Sequence, residues 1–306
     1  MAVVSDAQRA PFDRVAWSAS LGPSLTVFRA RVREEGRRLY RDLPWRRTRD
    51  PYGIWLSEVM LQQTQVSRVE GRWEAWLARF PRVEDLAAAQ SADVLALWQG
   101  LGYNRRAIAL RRAARQVMDA GGVFPRETER LLELPGVGPA TAAGIRAFAF
   151  DLPGTYLETN VRSVFLHELF PGVQSVSDRE LAPLVGATCP PDDADPSDDP
   201  RSWYYALLDY GAHLKRTTTN PSRRSAGHGR QSAFEGSRRQ KRAELVRLLL
   251  AGRDEGALAT TTLARRLNEV ERAAGRAELD VGQVKGLLGE LAAEGLCRRE
   301  ASGWSA

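Results

Sequence analysis

Cysteine is nearly missing from this chain: 306 residues carry two, Cys189 and Cys297. Two thiols exclude a disulfide framework and a four-thiolate metal site. Histidine is almost as scarce. His167, His213 and His228 are scattered without metal-ligand spacing, so no metal centre is expected. No apolar run approaches the ~20 residues that span a bilayer. The first twenty residues lack the basic, apolar and cleavable regions of a signal peptide. The expectation is a soluble, cytoplasmic protein with no membrane partner. Also missing, until the C-terminal residues, is the period-two alternation of a half-buried strand.

What is present is basic charge and helical periodicity. Net charge is +6 and the sequence pI about 9.7. That balance suits a polyanion such as nucleic acid, or a mildly basic surface that only aids solubility. The 43% hydrophobic content is enough for real cores, and the length suits two or three domains.

Residues 24–214 read as an all-α unit with apolar residues three and four apart, preceded by a poorly ordered N-terminus over 1–23. "DVLALWQGLG" and "NRRAIALRRAARQVMDAGG" both end on glycine, a common helix stop. Trp73, Trp76 and Trp98 sit at core spacing. Residues 189–201, "CPPDDADPSDDPR", form a solvated acidic loop with no assigned role. The segment 215–238 and the residues just after it hold nine Lys or Arg, up to Arg242, against one Glu235. This is a flexible linker or an extended strap that tracks phosphates, with Arg223, Arg224, Arg238 and Arg239 as its candidate DNA contacts. Residues 239–306 show three helical patterns and a short hairpin, the order of a winged helix. Such a module binds DNA or docks proteins.

Three motifs carry chemistry. In "LLELPGVGPATAAGI" (131–145) a helix ends at Leu134, Pro135–Gly138 turn tightly, and a second helix begins from about Thr141. Glycine permits close backbone approach and a helix N-terminus offers free N–H groups. Leu134, Gly136, Val137, Gly138 and Thr141 are thus a candidate phosphate clamp, a helix-hairpin-helix, against the plainer reading of a turn. In "DPYGIWLSEVMLQQTQVSRV" (50–69) Trp55, Leu56, Val59 and Met60 give an apolar face, while Glu58, Gln62 and Gln65 form a polar stripe. The stripe is a solvated face, or Glu58 is a desolvated carboxyl kept protonated for general-acid work, and the glutamines contact bases. In "TYLETNVRSV" (155–164) Glu158 opens a helix, as a cap or as a carboxylate kept ionised by the dipole. One protonated and one charged carboxyl are what glycosidic cleavage needs.

"LPW…DPYGIWLSEVMLQQTQV", "LWQGLGYNRRA", "LPGVGPATA" and "ETNVRSV" together resemble the helix-hairpin-helix base-excision DNA glycosylases, and within them the adenine DNA glycosylases (MutY-like). The resemblance covers about 24–170 and continues weakly to about 215. It implies a two-lobed all-α fold, here followed by the small winged-helix-like domain, and a target nucleotide flipped out of duplex DNA. It implies further that Glu58 protonates adenine and that Glu158, aided by Asn160, steadies the sugar cation. It places Gln63 and Tyr103 at the stack and the orphaned base, and Trp45 and Arg46 near the base pocket. The hairpin carbonyls of 134–138 would hold a monovalent cation. The implied partner is double-stranded DNA with a mismatch or lesion, bound by a nucleoid-associated monomer.

Four departures from the family pattern matter. Glu158 stands where aspartate is usual. Ala140 replaces the lysine of bifunctional relatives, so a monofunctional hydrolase without lyase activity is expected. Lys215 stands where the first thiolate of a [4Fe–4S] cluster would be, so the cluster is expected to be absent. The seventy or so C-terminal residues are too few for the family's 8-oxoguanine-reading domain. The substrate expected is adenine opposite 8-oxoguanine or guanine. The alternatives are another mispaired or modified base (uracil or thymine opposite guanine), or a non-catalytic DNA-binding regulator.

Overall fold

The structure is a computed structural model that describes residues 22–191, 198–229 and 233–306. The N-terminal stretch before residue 22, the middle of the acidic loop and residues 230–232 of the basic segment lie outside the described residues.

In chain order the elements are α1 (Gly22–Leu39), a 3-10 turn (Pro44–Arg47), α2 (Pro51–Leu61), α3 (Val66–Val69), α4 (Arg72–Arg79), α5 (Val83–Ala88), α6 (Ser91–Trp98), α7 (Arg105–Asp119), α8 (Thr128–Leu132), α9 (Pro139–Phe150) and α10 (Thr159–Glu168). They continue with α11 (Asp178–Thr188), α12 (Pro200–Thr217), a 3-10 turn (Pro221–Arg224), α13 (Arg238–Ala251), a 3-10 turn (Arg253–Glu255), α14 (Thr260–Ala273) and α15 (Val281–Ala293). Strands β1 (Arg298–Arg299) and β2 (Trp304–Ser305) close the chain. The chain divides into two units, one of residues 1–41 with 151–228, the other of 42–150 with 229–306. The contiguous block expected over 24–214 is therefore split, and its first helix joins its last ones.

In the first unit α12 packs on both α1 and α10. Phe28, Val32, Phe165, Trp203 and Leu207 are buried there. Gly36 lets α1 close on α12, since a Cβ at that position would overlap Ala206. Asp199 starts α12 by accepting from the Ser202 N–H at 2.7 Å. The helix runs past the expected linker boundary at 215 and takes in Lys215–Thr217. The next residues are not an extended strap either. Arg224 donates to the carbonyl of Leu166, in the last turn of α10 where carbonyls lack helical partners, and to that of Phe170 just beyond the helix. Val176 and Ala226 complete the tie through backbone bonds of 3.0 and 2.9 Å.

In the second unit α2 is buried on every side from Tyr52 to Met60. Asp50 caps it through the Tyr52 and Gly53 N–H groups, and Pro51 supplies the fixed φ of a first helical residue. Trp73, Trp76 and Trp98 are core residues, with Trp76 edge-on to Trp98 at 5.6 Å. Helices α13–α15 and the antiparallel β1–β2 pair follow in the winged-helix order. They do not stand apart from the rest of this unit. Leu245, Leu249 and Leu288 share one hydrophobic cluster with Leu95 and Ile108, and Arg253 pairs with Asp93 at 2.6 Å. Within this module the fully buried Glu271 accepts from Gln240, Lys241 and Arg276.

Candidate active site

Glu158 sits where an extended approach turns into a helix, with Tyr156 beneath it packed edge-on to Tyr204 at 5.3 Å. It is the N-cap of α10. Oε1 accepts from the Asn160 N–H at 2.5 Å and the Val161 N–H at 2.8 Å. Oε2 accepts from Asn160 Nδ2 at 3.3 Å. The cap reading is therefore correct as geometry, and it leaves one oxygen held only at its side by an amide. Glu158 keeps part of its surface exposed. Burial is nevertheless the larger influence and pushes its carboxyl above the ordinary range, against the two N–H bonds and the nearby Lys215 and Arg162 charges. The N–H groups at the helix entrance favour the charged form, as expected there, while burial opposes it. Lowering groups surround it, but desolvation outweighs them.

Glu58 belongs to the other unit, so the expected pair is divided between the two. It is 9% exposed on the wholly buried α2. The expected polar stripe is not one face of a helix. α2 ends at Leu61, Gln62 is its C-cap, and Gln65 begins α3. Gln62 turns toward the hairpin instead of outward, donating to Thr141 Oγ1 at 3.0 Å and to the Gly136 carbonyl at 3.4 Å. The acid-bearing helix and the hairpin are thereby tied together.

The hairpin itself forms as expected between α8 and α9, with α9 starting at Pro139 rather than Thr141. Leu134 and Val137 are buried as anchors, and the Val137 N–H donates to the Leu134 carbonyl at 3.1 Å. Gly136 has φ +82°, a conformation that favours glycine. A Cβ on Gly138 would meet nothing within 4 Å, so the backbone there borders open space.

Gln63 and Tyr103 carry positive φ, +53° and +50°, and such strain in non-glycine residues collects at functional turns. One buried residue that sequence reasoning passed over holds both turns. Arg106 Nη1 donates to the carbonyls of Val59 (2.8 Å), Met60 (3.2 Å) and Gln62 (2.6 Å). Its Nη2 donates to Thr64 Oγ1 (3.0 Å) and to the carbonyls of Leu101 (3.0 Å) and Gly102 (3.1 Å). Burial brings its pKa down to about 10, so it stays charged at neutral pH. The available signal was the second arginine after "GLGYN".

Other expected site residues are placed less suggestively. Trp45 is core, edge-on to Trp73 at 6.4 Å, and Arg46 is buried beside it in the same 3-10 turn. Arg223 is exposed. Arg224 is corrected from phosphate contact to helix-end tie, because its donors are used on carbonyls. Arg238 pairs with Glu290, and Arg239 donates to the Tyr103 hydroxyl at 3.4 Å. The residues present do not fit a [4Fe–4S] cluster. Position 215 carries an amine that donates to Asn160 Oδ1 at 3.2 Å, and the chain's two cysteines, 189 and 297, fall in different units.

Residues 56–224 match the model of the HhH-GPD superfamily base excision DNA repair protein. An adenine DNA glycosylase of Mycolicibacterium smegmatis is 39% identical over 174 residues, 56% of this chain and 58% of that protein. The human adenine DNA glycosylase is 43% identical over 134 residues, 40% of this chain and 24% of its own length. The chain thus spans less than two thirds of these relatives. Among solved structures, a thermostable thymine-DNA glycosylase matches with TM-score 0.55 and 26% identity, covering 63% of this chain and 88% of that one. An endonuclease III solved in a non-covalent DNA complex matches with TM-score 0.50 and 18% identity, over 63% and 86%. The latter likeness is one of fold.

Proposed function

This chain belongs to the HhH-GPD superfamily of base excision DNA repair proteins, and from that premise we propose that it is a monofunctional DNA N-glycosylase that removes mispaired adenine. The observation that carries the reading is the Gln62 tie: the helix bearing buried Glu58 is bonded directly to the hairpin whose backbone borders open space. A phosphate gripped at the hairpin, with a monovalent cation on its carbonyls, would put the acid in register with the gripped strand.

The nucleotide must leave the stack to be reached, and Gln63 and Tyr103 on their strained turns are the wedge candidates. Glu58 gives a proton to the base at N7. The C1′–N9 bond breaks with its electron pair going to the base. Ionised Glu158, with Asn160, steadies the oxocarbenium ion left on the sugar. Water adds to C1′, and its proton passes to a carboxylate. Ala140 offers no amine at the hairpin position, so the product is an abasic site in an uncut strand. The expected substrate is adenine opposite 8-oxoguanine or guanine, acted on by a monomer in the cytoplasm.

The test is a panel of duplexes, each with one defined mispair, incubated with the full chain. Release of adenine opposite 8-oxoguanine or guanine supports the reading. Release of only uracil or thymine opposite guanine, or of no base at all, refutes it.

A further inference from the structure

Helix α12 closes on Asn160 from two positions one turn apart. At Gly211 the helix backbone lies so near that a Cβ would overlap the Asn160 carbonyl and its Cα. At Lys215, four residues on and therefore on the same face, the ammonium donates to Asn160 Oδ1 at 3.2 Å. An ammonium has donors and no acceptor, so the amide can present only its oxygen to Lys215. Its NH2 group is then fixed toward Glu158, where Nδ2 donates to Oε2 at 3.3 Å.

We propose that Lys215 is a positioning residue for the Glu158–Asn160 pair: it fixes the orientation of the Asn160 amide and, through it, Oε2 of the Glu158 carboxylate. The inference rests on the glycosylase reading for its kinetic consequence and on geometry alone for its structural one. Without the ammonium, an amide flip would set Oδ1 against the carboxylate, two acceptors facing each other. Lys215 also adds a positive charge beside a carboxyl that burial drives toward its neutral form. The arginines of α10 and of the turn packed against it do not replace it. Arg162, on α10 itself, is paired with Asp178 of α11 at 2.8 and 2.7 Å. Arg224, on the turn packed against α10, is spent on carbonyls at the helix's opposite end.

A carboxyl with a raised pKa is protonated over a wider range, so the rate should climb with pH through that pKa as Glu158 ionises. Removing Lys215 raises it further and moves the acidic limb to higher pH.

The experiment compares wild type, Lys215→Met and Lys215→Arg in two measurements on the full chain. Carboxyl-carbon NMR follows the titration of Glu158 without DNA. Single-turnover base release is recorded across pH on the duplex that wild type cleaves best. Expected are a higher Glu158 midpoint in Lys215→Met and about a tenfold slower release near neutrality, the loss of one charge-assisted bond. Thermal melting and affinity for an abasic duplex should stay close to wild type, and Lys215→Arg should restore both midpoint and rate. An unmoved midpoint in Lys215→Met overturns the proposal even if no base is ever released. Equal defects in Lys215→Arg and Lys215→Met overturn it too, as does a borohydride-trapped crosslink from Lys215 to an abasic duplex. Absence of release by wild type, with the midpoint shift intact, strikes only the glycosylase reading.

Discussion

Two carboxylates and one guanidinium carry the residue-scale argument. Glu58→Gln removes the proposed proton donor while keeping shape, so single-turnover release should fall by roughly 10²–10⁴ with duplex affinity retained. A variant that still releases base at near the wild-type rate would show the α2 carboxyl to be structural. Glu158→Asn keeps an N-cap acceptor for α10 but loses the charge. Release should fall on the order of 10²–10³, and melting should barely change, because asparagine is itself a good cap. Arg106 belongs to a different class. It serves five backbone carbonyls and a hydroxyl on the two turns that hold Gln63 and Tyr103. Arg106→Met would leave several of those acceptors buried without donors, at about 1–3 kcal/mol each. The expected result is a destabilisation of about 3 kcal/mol or more in chemical denaturation, along with lost activity.

At the scale of elements, charge placement decides which helices hold together. In the C-terminal module burial pushes Glu271 up, but hydrogen bonds from Arg276, Lys241 and Gln240 outweigh it and hold its carboxyl at about 2. Its folded pKa is thus depressed below the ordinary carboxylate value of 4.5. That contribution to stability is present above about pH 4.5 and is lost as pH falls toward 2. Denaturant midpoints measured down this range should fall for wild type and fall less for Glu271→Gln. Equal slopes would mean that the buried cluster does not govern acid stability. The basic segment shows the same division of labour on a smaller scale. Arg223 is exposed, whereas Arg224 is bonded to the end of α10. If the segment follows phosphates, Arg223→Ala should flatten the salt dependence of DNA binding by about 0.9 in log–log slope. Arg224→Ala should instead lower the melting temperature and leave the slope alone.

The whole molecule is two compact units whose membership crosses the chain: α1 belongs with α10–α12, and α13–α15 belong with α2–α9. The C-terminal module shares a core with α6 and α7 and reaches Tyr103 through Arg239. Cutting the chain before Arg238 should therefore destabilise the hairpin unit and expose Leu95 and Ile108, with a lower melting temperature as the readout. Much of this was legible in the residues. The hairpin could be read from Leu134–Gly138 because tight turns between helices have few chemical solutions, and the all-α class from apolar spacing, which is set by local geometry. Glu158 at a helix entrance was readable for the same reason. What local pattern could not supply were the partners. Lys215 looked like the start of a linker, and Arg224 like one charge in a strap, since a sequence records that an arginine is basic but not which carbonyl it meets. The apparent stripe Glu58–Gln62–Gln65 assumed one continuous helix, whereas α2 ends at Leu61. The level of Glu158's pKa, the orientation of the Asn160 amide and the grip of Arg106 on the turn after α2 depend on partners far along the chain, such as Val59 for Arg106 and Lys215 for Asn160. Desolvation and hydrogen-bond direction are properties of a three-dimensional neighbourhood, and only the tertiary structure decides them.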